Sequence, residues 1–280
     1  MTDKVITSAA NPRLKALVRL RRRRERDQAG VSLVEGHEEL ELAVAAGALP
    51  STVLHCRELM ADPARQMHLI DRLRDAGIET VALSRTAFEK VAYRQGPDGV
   101  LAVLPAPGTG AAGLAGLSLP AEPLLLIAEG IEKPGNLGAM LRTADAAGVD
   151  AVIALDPVTD WANPNVVRAS KGTVYAVPVA TATVAELLPW LVARDIRLVA
   201  TTPAAPLLHT DADLTGALAV AVGTEKHGLT DVVLAAAQGA VRIPMSGAVN
   251  SLNAGIAAAV VLYEARRQRT AAPGVVKTTL

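Results

Sequence analysis

Three segments in the second half of the chain concentrate the polar residues best suited to chemistry. They run over residues 128–144, 222–229 and 243–257, and each begins where a run of apolar residues predicts the end of a buried strand. The carboxyl ends of parallel strands form the edge at which open α/β sheets usually bind ligands. The segments combine amides, carboxylates and hydroxyls with one guanidinium, Arg142, so this edge is the candidate ligand site. Taken singly, each segment is more typical of an ordinary strand-to-helix turn.

The composition is that of a folded, soluble protein. Of the 280 residues, 50 % are hydrophobic, 20 % are charged and 2 % are aromatic. This balance excludes an intrinsically disordered chain, and the 22 glycines and 17 prolines show no collagen-like period. The single cysteine, Cys56, excludes a disulfide framework and a cysteine-rich zinc site. Neither a secretory signal nor an apolar run of about 18 residues is evident, so we expect a cytoplasmic protein without a membrane span.

The charges are distributed unevenly along the chain. The formal net charge is zero, from 28 basic and 28 acidic residues, but residues 1–26 hold nine lysines or arginines against two acidic residues. Such a basic arm indicates a polyanionic partner, because cations that neutralise phosphates release counterions. A solvated helix end explains the same cluster equally well. The candidate contacts in this arm are Arg19, Arg21, Arg22, Arg23, Arg24 and Arg26.

Residues 1–105 are predicted to form a small α/β domain. Asn11 and Pro12 predict the start of a helix whose last turn would carry the arginines of the arm. A second helix is predicted over residues 35–46. The predicted strands of this domain are Thr52–His55, Ile78–Leu83 and Gly99–Leu104. Residues 106–121 are rich in glycine and proline and contain no charge, which is typical of a linker.

Residues 122–270 alternate strands and helices, and residues 271–280 form a tail. The predicted strands are Leu124–Ala128, Ala151–Ala154, Tyr175–Val179, Ile196–Ala200, Ala217–Val222 and Ala240–Ile243. The predicted helices cover residues 136–147, 163–170, 184–193, 230–238 and 250–268. Apolar strands between amphipathic helices indicate a mostly parallel sheet covered on both faces. Asn136 is predicted to cap the first of these helices, and Ser251 and Asn253 the last.

A glycine-rich sequence in the linker imitates a dinucleotide-binding site. Gly108, Gly110 and Gly113 match the G-x-G-x-x-G pattern, and Glu129 follows about 20 residues later. A dinucleotide site requires a helix to open at the glycines, whereas the next glycine and proline would interrupt such a helix. We therefore favour a linker and keep a dinucleotide-dependent oxidoreductase as an alternative.

Taken together, the three segments resemble the motifs of the SpoU/TrmH family of RNA ribose 2′-O-methyltransferases, in the trefoil-knotted SPOUT superfamily. The first resembles its N-x-G-x-x-x-R-T-A motif, the second its G-x-E-x-x-G-L motif, and the third combines I-P-M with S-L-N. The matching residues are Asn136, Gly138, Arg142, Thr143, Ala144, Gly223, Glu225, Gly228, Leu229, Ile243–Met245 and Ser251–Asn253. Arg168 and Ser170 lie in a similar R-x-S-x-G segment. In residues 33–36 and 99–103 the chain resembles the family's substrate-binding domain, which is similar to ribosomal proteins that bind kinked RNA.

The resemblance implies a fold, a cofactor and a set of site residues. The implied fold is a knotted, mostly parallel α/β sheet that binds S-adenosylmethionine without a metal and packs as a homodimer. The implied donor-binding residues are Thr202, Gly223, Thr224, Ile243, Met245 and Leu252. The implied catalytic residues are Arg142, Asn136, Glu225, Ser251 and Asn253. Arg142 would stabilise the developing alkoxide, and Arg168 joins the arginines of the basic arm as an implied RNA contact.

The implied substrate is the ribose of a structured RNA. Six aromatic residues are too few for base stacking to dominate, so backbone and shape contacts are expected. The separate N-terminal domain favours ribosomal RNA over transfer RNA. A non-catalytic RNA-binding protein on the same fold stays an alternative, because a fold does not by itself imply an activity.

Overall fold

The computed structural model of the protein describes residues 5–108 and 113–270. Contacts within the chain divide it into two compact units. The first contains the described residues up to 108 together with residues 160–176, and the second contains the remainder. The predicted tail, residues 271–280, lies outside the described residues. Within the described ranges, no helix is both long and apolar enough to cross a bilayer.

The first unit is an α/β fold around a four-stranded sheet. Its strands are β1 (Val31–Glu35), β2 (Thr52–His55), β3 (Glu79–Ala82) and β4 (Val100–Pro105). Its helices include α1 (Pro12–Arg19), α2 (Arg23–Ala29), α3 (His37–Ala45), α4 (Pro63–Asp75) and α5 (Arg85–Val91). The strand order is β1-β4-β2-β3, with β4 antiparallel to both β1 and β2 and with β2 parallel to β3. The helix predicted from residue 35 begins later, because Gly36 at φ 127° separates β1 from α3.

The basic arm forms two helices, which corrects the single helix predicted to carry it. Asn11 caps α1 as predicted, since its side chain accepts the N–H of Arg13 at 2.9 Å. This helix ends at Arg19, and α2 begins at Arg23. Residues 21–24 are four consecutive arginines, which offer no apolar stripe against which a continuous helix would pack. The break follows because helices in proteins depend on such packing.

The second unit is built on a parallel sheet of seven strands. The strands are β5 (Leu124–Glu129), β6 (Ala151–Leu155), β7 (Val179–Ala182), β8 (Arg197–Thr201), β9 (Leu207–Leu208), β10 (Leu218–Val222) and β11 (Gly239–Arg242). They lie in the order β7-β6-β5-β10-β8-β11-β9, and each neighbouring pair is parallel. The central strands β5, β6 and β10 are buried along their whole length, as expected for a sheet covered on both faces. The predicted fold class, a mostly parallel α/β sheet with a smaller N-terminal α/β domain, is confirmed.

Further helices complete the fold. They are α6 (Pro134–Ala147), α7 (Pro164–Ala169), α8 (Val184–Ala193), α9 (Asp231–Ala236) and α10 (Ala254–Thr270), and all except α7 belong to the second unit. Thr183 and Glu186 form a capping box at the start of α8, and Gly148 ends α6 in the left-handed conformation. The predicted strand Tyr175–Val179 is wrong, because Thr173–Tyr175 form a 3-10 turn and the strand begins only at the last predicted residue.

The segment of residues 160–176 packs on the first unit, an arrangement that the sequence did not predict. Ser32 in β1 donates its hydroxyl hydrogen to the carbonyl oxygen of Ala162 at 3.1 Å. Gly172 has a φ of +84°, and a Cβ at this position would lie 2.8 Å from the carbonyl oxygen of Glu39 in α3. Only glycine allows the two backbones to approach so closely. The glycine of the R-x-S-x-G segment therefore has a structural role.

Candidate active site

A cavity of about 390 Å³ opens in the second unit where β8, β10 and β11 end and where α10 begins. Its lining includes the six residues predicted to bind the methyl donor, namely Thr202, Gly223, Thr224, Ile243, Met245 and Leu252. Glu225 and Ser251 from the predicted catalytic set line the same cavity. Its volume lies in the range of small-molecule pockets, roughly 300–1,000 Å³. These residues come together because the parallel strands that precede them end at one edge of the sheet.

The loop after β10 folds back on itself to form one wall of the cavity. Thr224 and Gly228 exchange backbone hydrogen bonds of 3.0 and 2.9 Å. The N–H of His227 donates to the Thr224 hydroxyl at 3.0 Å. A Cβ on Gly223 would lie 2.1 Å from the carbonyl carbon and oxygen of Gly228, so only glycine fits here. The result is a tight turn in which bare backbone lines the cavity.

The Glu225 carboxylate joins three elements at the edge of the cavity. It accepts hydrogen bonds from Asn136 at 3.1 Å and from Asn253, and it pairs with Lys133 at 2.8 Å. Lys133 and Asn136 lie at the start of α6, whereas Asn253 precedes α10. The bond from Lys133, followed by that from Asn136, stabilises the ionised form and lowers the pKa of Glu225 below its ordinary value. Three predicted catalytic residues thus meet in one hydrogen-bonded cluster.

Asn253 also caps α10, as the sequence predicts. Its side-chain oxygen accepts the N–H of Gly255 at 3.0 Å and the N–H of Ile256 at 3.4 Å. Its side-chain nitrogen donates to the side-chain oxygen of Asn136 at 3.0 Å. The helix begins at Ala254 and not at the predicted residue 250, because the cap is Asn253. One side chain therefore fixes both the start of a helix and the Glu225 cluster.

The start of α6 differs from the prediction. Lys133 is the N-cap residue and Pro134 occupies the first turn, whereas the sequence predicts Asn136 as the cap. Asn136 lies inside the first turn, where its N–H donates to the carbonyl oxygen of Lys133 at 3.0 Å. Its side chain is therefore available to Glu225. Pro134 is the sequence feature that indicates the observed start of α6, because proline favours the first helical turn. Lys133 is not among the predicted site residues, since one charge before a proline is a weak signal.

Among the described residues, Arg142 is not part of this hydrogen-bonded cluster. It follows Asn136 by six residues, which in a helix is about 9 Å along the axis and about 120° around it. Its side chain is exposed and has no ion-pair or hydrogen-bond partner among the described residues. Its neighbours on the same exposed face of α6 are the small residues Gly135, Ala139 and Ala146. Of the predicted catalytic residues, Asn136, Glu225 and Asn253 are therefore bonded to one another, and Arg142 makes no bond to them in the described part of the chain.

Six of the seven predicted RNA contacts lie on the surface of the first unit. Those whose side chains have no ion-pair or hydrogen-bond partner in the described part of the chain are Arg19, Arg22, Arg24 and Arg168. Arg21 donates to the carbonyl oxygens of Lys90 and Ala92 at 3.1 and 2.5 Å. Arg23 pairs with Asp27 at 3.5 Å within α2. These exposed positions suit contacts with a polyanion.

Arg26 is a structural residue, which corrects its assignment as an RNA contact. It is only 2 % exposed. Its guanidinium donates to both carboxylate oxygens of Asp160, at 3.1 and 2.8 Å. It also donates to the carbonyl oxygens of Leu20 and Arg21, at 3.2 and 3.0 Å. A guanidinium enclosed in this way has no surface left for a phosphate, so we remove Arg26 from the RNA-contacting set.

The glycine-rich sequence of the linker lies mostly outside the described residues. At its end, Gly113–Gly116 form a single 3-10 turn and not the helix that a dinucleotide site requires. Glu129, the acidic residue of that alternative, is buried. It accepts the N–H and the hydroxyl of Thr230 at 2.9 and 2.7 Å, and Thr230 caps α9. Glu129 therefore ties β5 to α9.

The cavity has the features that a donor such as S-adenosylmethionine requires. An adenine ring and a methionine chain need apolar surface, which Val222, Leu252 and Ala257 provide. They also need polar backbone groups at close range, and the turn at Gly223 supplies these because no side chain fits there. The residues present therefore fit this group.

Comparison with known proteins provides the deciding observation. The SpoU rRNA Methylase family matches residues 123–263, and the MRM3-like substrate binding domain matches residues 11–102. The chain belongs to the SpoU rRNA methylase family. The predicted family is confirmed, and the SpoU match spans every predicted donor-binding and catalytic residue.

Relatives of this SpoU-family chain resemble it over nearly its full length. An uncharacterized tRNA/rRNA methyltransferase of Synechocystis sp. is 34 % identical over 269 residues, which are 95 % of each chain. The crystal structure of an RNA 2′-O ribose methyltransferase is 38 % identical with a TM-score of 0.81, over 95 % of this chain and 99 % of that one. An AdoMet-bound rRNA methyltransferase from Sinorhizobium meliloti is 27 % identical with a TM-score of 0.84, over 94 % and 97 %. The similarity therefore includes both units.

Proposed function

We propose that the protein is an S-adenosylmethionine-dependent methyltransferase that modifies a ribose 2′-hydroxyl in structured RNA, acting in the cytoplasm on ribosomal RNA rather than transfer RNA. The observation that carries the proposal is the cavity, in which the six predicted donor-binding residues lie beside the Glu225 cluster. The AdoMet-bound relative and the rRNA methylase family name support the choice of donor and substrate. The loops around the cavity are those expected to form the trefoil knot.

The chain's own residues orient the reactants. S-adenosylmethionine supplies a methyl group on a sulfonium, a chemistry that needs no metal. Asn136, Glu225 and Asn253 hold one another in a fixed arrangement, and Ser251 lines the cavity beside them. We propose that these groups align the 2′-hydroxyl with the methyl carbon. Alignment of this kind contributes about 7–11 kcal/mol in favourable cases.

Arg142 has an electrostatic role in this proposal. A guanidinium keeps its proton up to a pH of about 12, so it is a poor base. It is a strong hydrogen-bond donor to oxyanions and to phosphates. Arg142 therefore stabilises the negative charge that develops on the ribose oxygen as the proton leaves.

Arg142 acts, in this proposal, at the cavity of a second copy of the chain. It lies on a different face of α6 from Asn136, which binds Glu225. Ala139 is exposed on the same side of α6, and Ile256 and Tyr263 on α10 are 54 % and 51 % exposed. The two helices pack against each other, so these residues belong to neighbouring surfaces. Burying them against a second copy gives a two-fold dimer.

Replacing Arg142 by alanine tests the catalytic assignment. We expect methyl transfer to fall by about 10² or more, because a donor to the developing oxyanion is lost. Calorimetry should find donor binding unchanged, since the cavity lining is intact. Arg72→Ala, at an exposed arginine of α4 in the first unit, is the matched control and should retain activity. Wild-type turnover in Arg142→Ala would refute the role, and a wild-type protein that binds no donor would indicate a pure RNA-binding function.

A mixture of two inactive variants tests the dimer. Arg142→Ala keeps an intact cavity, and Asn253→Ala keeps Arg142. If Arg142 acts at the partner's cavity, mixed dimers contain one complete site each, and random exchange restores about a quarter of the sites. If Arg142 acts within its own chain, mixed dimers stay inactive, and that result would contradict the proposed arrangement.

A further inference from the structure

Lys133 occupies a position that helix stability does not explain. It is the N-cap residue of α6, yet its side chain makes no capping hydrogen bond. Asparagine, aspartate, serine and threonine are the favoured caps, and the positive end of the helix dipole disfavours a cation. The Lys133 side chain is 71 % exposed, and its ammonium lies 2.8 Å from the Glu225 carboxylate. A solvated ion pair of this kind contributes little to folding.

Glu225 creates an electrostatic problem for an RNA substrate. A nucleotide that presents its 2′-hydroxyl also brings its 3′-phosphate, because the two groups are attached to adjacent carbons of one sugar. Glu225 lines the cavity, and its side chain is 30 % exposed. Its carboxylate is held in the ionised form, because Lys133 and Asn136 lower its pKa. An ionised carboxylate repels a phosphate that approaches the same cavity.

A second lysine, next to Glu225 in the sequence, lines the same cavity. Lys226 follows Glu225 in the loop after β10, is exposed, and lines the cavity. In the part of the chain that the structure describes, its ammonium has no ion-pair partner. Lys133 thus contacts the Glu225 carboxylate directly, and Lys226 places a second cation on the lining of the same cavity.

We infer that Lys133 and Lys226 bind the RNA phosphate next to the reacting ribose. Lysine suits this role because its compact ammonium acts as a point charge on a long, flexible side chain. The two cations also offset the repulsion from Glu225. The inference rests on the proposed function and adds to it a specific contact with the RNA backbone. The donor carries a carboxylate, which is also an anion, so the test separates the two sources.

The test uses the full-length chain and ribosomal RNA from cells in which its gene is deleted. Methylation and filter binding are measured at several salt concentrations for wild type, Lys133→Met, Lys226→Met and the double variant. Each single change should raise the KM for RNA by about tenfold, since a charged hydrogen bond is lost. The turnover number should stay within about twofold. The slope of log affinity against log salt should fall by about 1 for each lysine and about 2 for both, and Lys133→Arg should restore it.

The control is Arg267→Met, which removes the ion pair between Arg267, whose side chain is 63 % exposed, and Glu264 on α10. It should leave the KM for RNA and the salt slope unchanged. A loss confined to turnover with an unchanged slope would mean that the lysines only position Glu225, and it would overturn the inference. Weaker donor binding with unchanged RNA affinity would mean that the two lysines bind the donor carboxylate, and this result would also overturn the inference. Filter binding measures the phosphate contact and does not require methyl transfer. A wild type that binds RNA with the expected salt slope but transfers no methyl group would refute the proposed function and leave the phosphate contact standing.

Discussion

Replacement of Arg26 by methionine should destabilise the first unit without weakening RNA binding. The buried guanidinium donates two hydrogen bonds to Asp160 and two more to backbone carbonyl oxygens. Methionine fills much of the same space but provides no donor. The Asp160 side chain, 13 % exposed, is then left with Arg23 at 3.9 Å as its nearest cation among the described residues.

The expected loss follows from the burial of the pair. Removing one partner of a buried ion pair costs about 3–5 kcal/mol, because the other charge stays buried without compensation. Arg23 takes over part of that role and Asp160 keeps some contact with water. We therefore expect the lower end of the range, about 3 kcal/mol in the free energy of unfolding. For a domain of this size, such a loss lowers the melting temperature by roughly 10 °C.

Urea denaturation measures the loss, and hydrogen exchange in residues 160–176 locates it. Arg24→Met is the matched control, because Arg24 lies in the same helix but is exposed, and its effect should stay within about 0.5 kcal/mol. The double variant Arg26→Met/Asp160→Leu removes both charges and should regain most of the stability. If Arg26→Met proves as stable as Arg24→Met, the burial argument is wrong. A lower salt slope for RNA binding in a fully stable Arg26→Met would restore its assignment as a phosphate contact.

Two further predictions concern the donor cavity and the basic arm. Gly223→Ala places a Cβ 2.1 Å from the backbone of the facing turn, so it should cost about 1–3 kcal/mol of stability and weaken donor binding in calorimetry. Gly247→Ala, whose Cβ would meet nothing within 4 Å, is its control, and equal donor affinity in the two would disprove the steric argument. Replacing Arg19, Arg22 and Arg24 together by glutamine should reduce the salt slope of RNA binding by about 2 to 3; an unchanged slope would leave the arm as a solvated helix end.

The sheet of the second unit is predictable because its central strands are continuous apolar runs. Ala151–Leu155 is apolar at every position and is buried along its whole length, as expected for a strand covered on both faces. The strand predicted at Tyr175–Val179 fails for a local reason. Val174 and Val177 are both buried, but in a 3-10 turn and the residues after it. Apolar spacing over so few residues does not distinguish a turn from a strand, because both bury the same side chains.

The cavity is predictable for a different reason. Its residues follow directly after strands, so parallel pairing alone brings them to one edge. The details depend on contacts distant in sequence. Asn136 meets Glu225 across 89 positions, and Arg26 meets Asp160 across 134 positions. No periodicity encodes such pairs, so the burial of Arg26 could not be predicted from the run of exposed arginines at residues 21–24 that precedes it.

Because α7 packs on the first unit, the chain cannot be cut into two complete units at a single point in the sequence. A fragment that ends at residue 108 would lack the buried Trp161, Val166 and Val167, and with them the acidic partner of Arg26. The complementary fragment would carry the same helix without β1, the strand against which it packs. Exchanging the first unit between two homologues therefore requires residues 160–176 to be exchanged together with the residues up to 108.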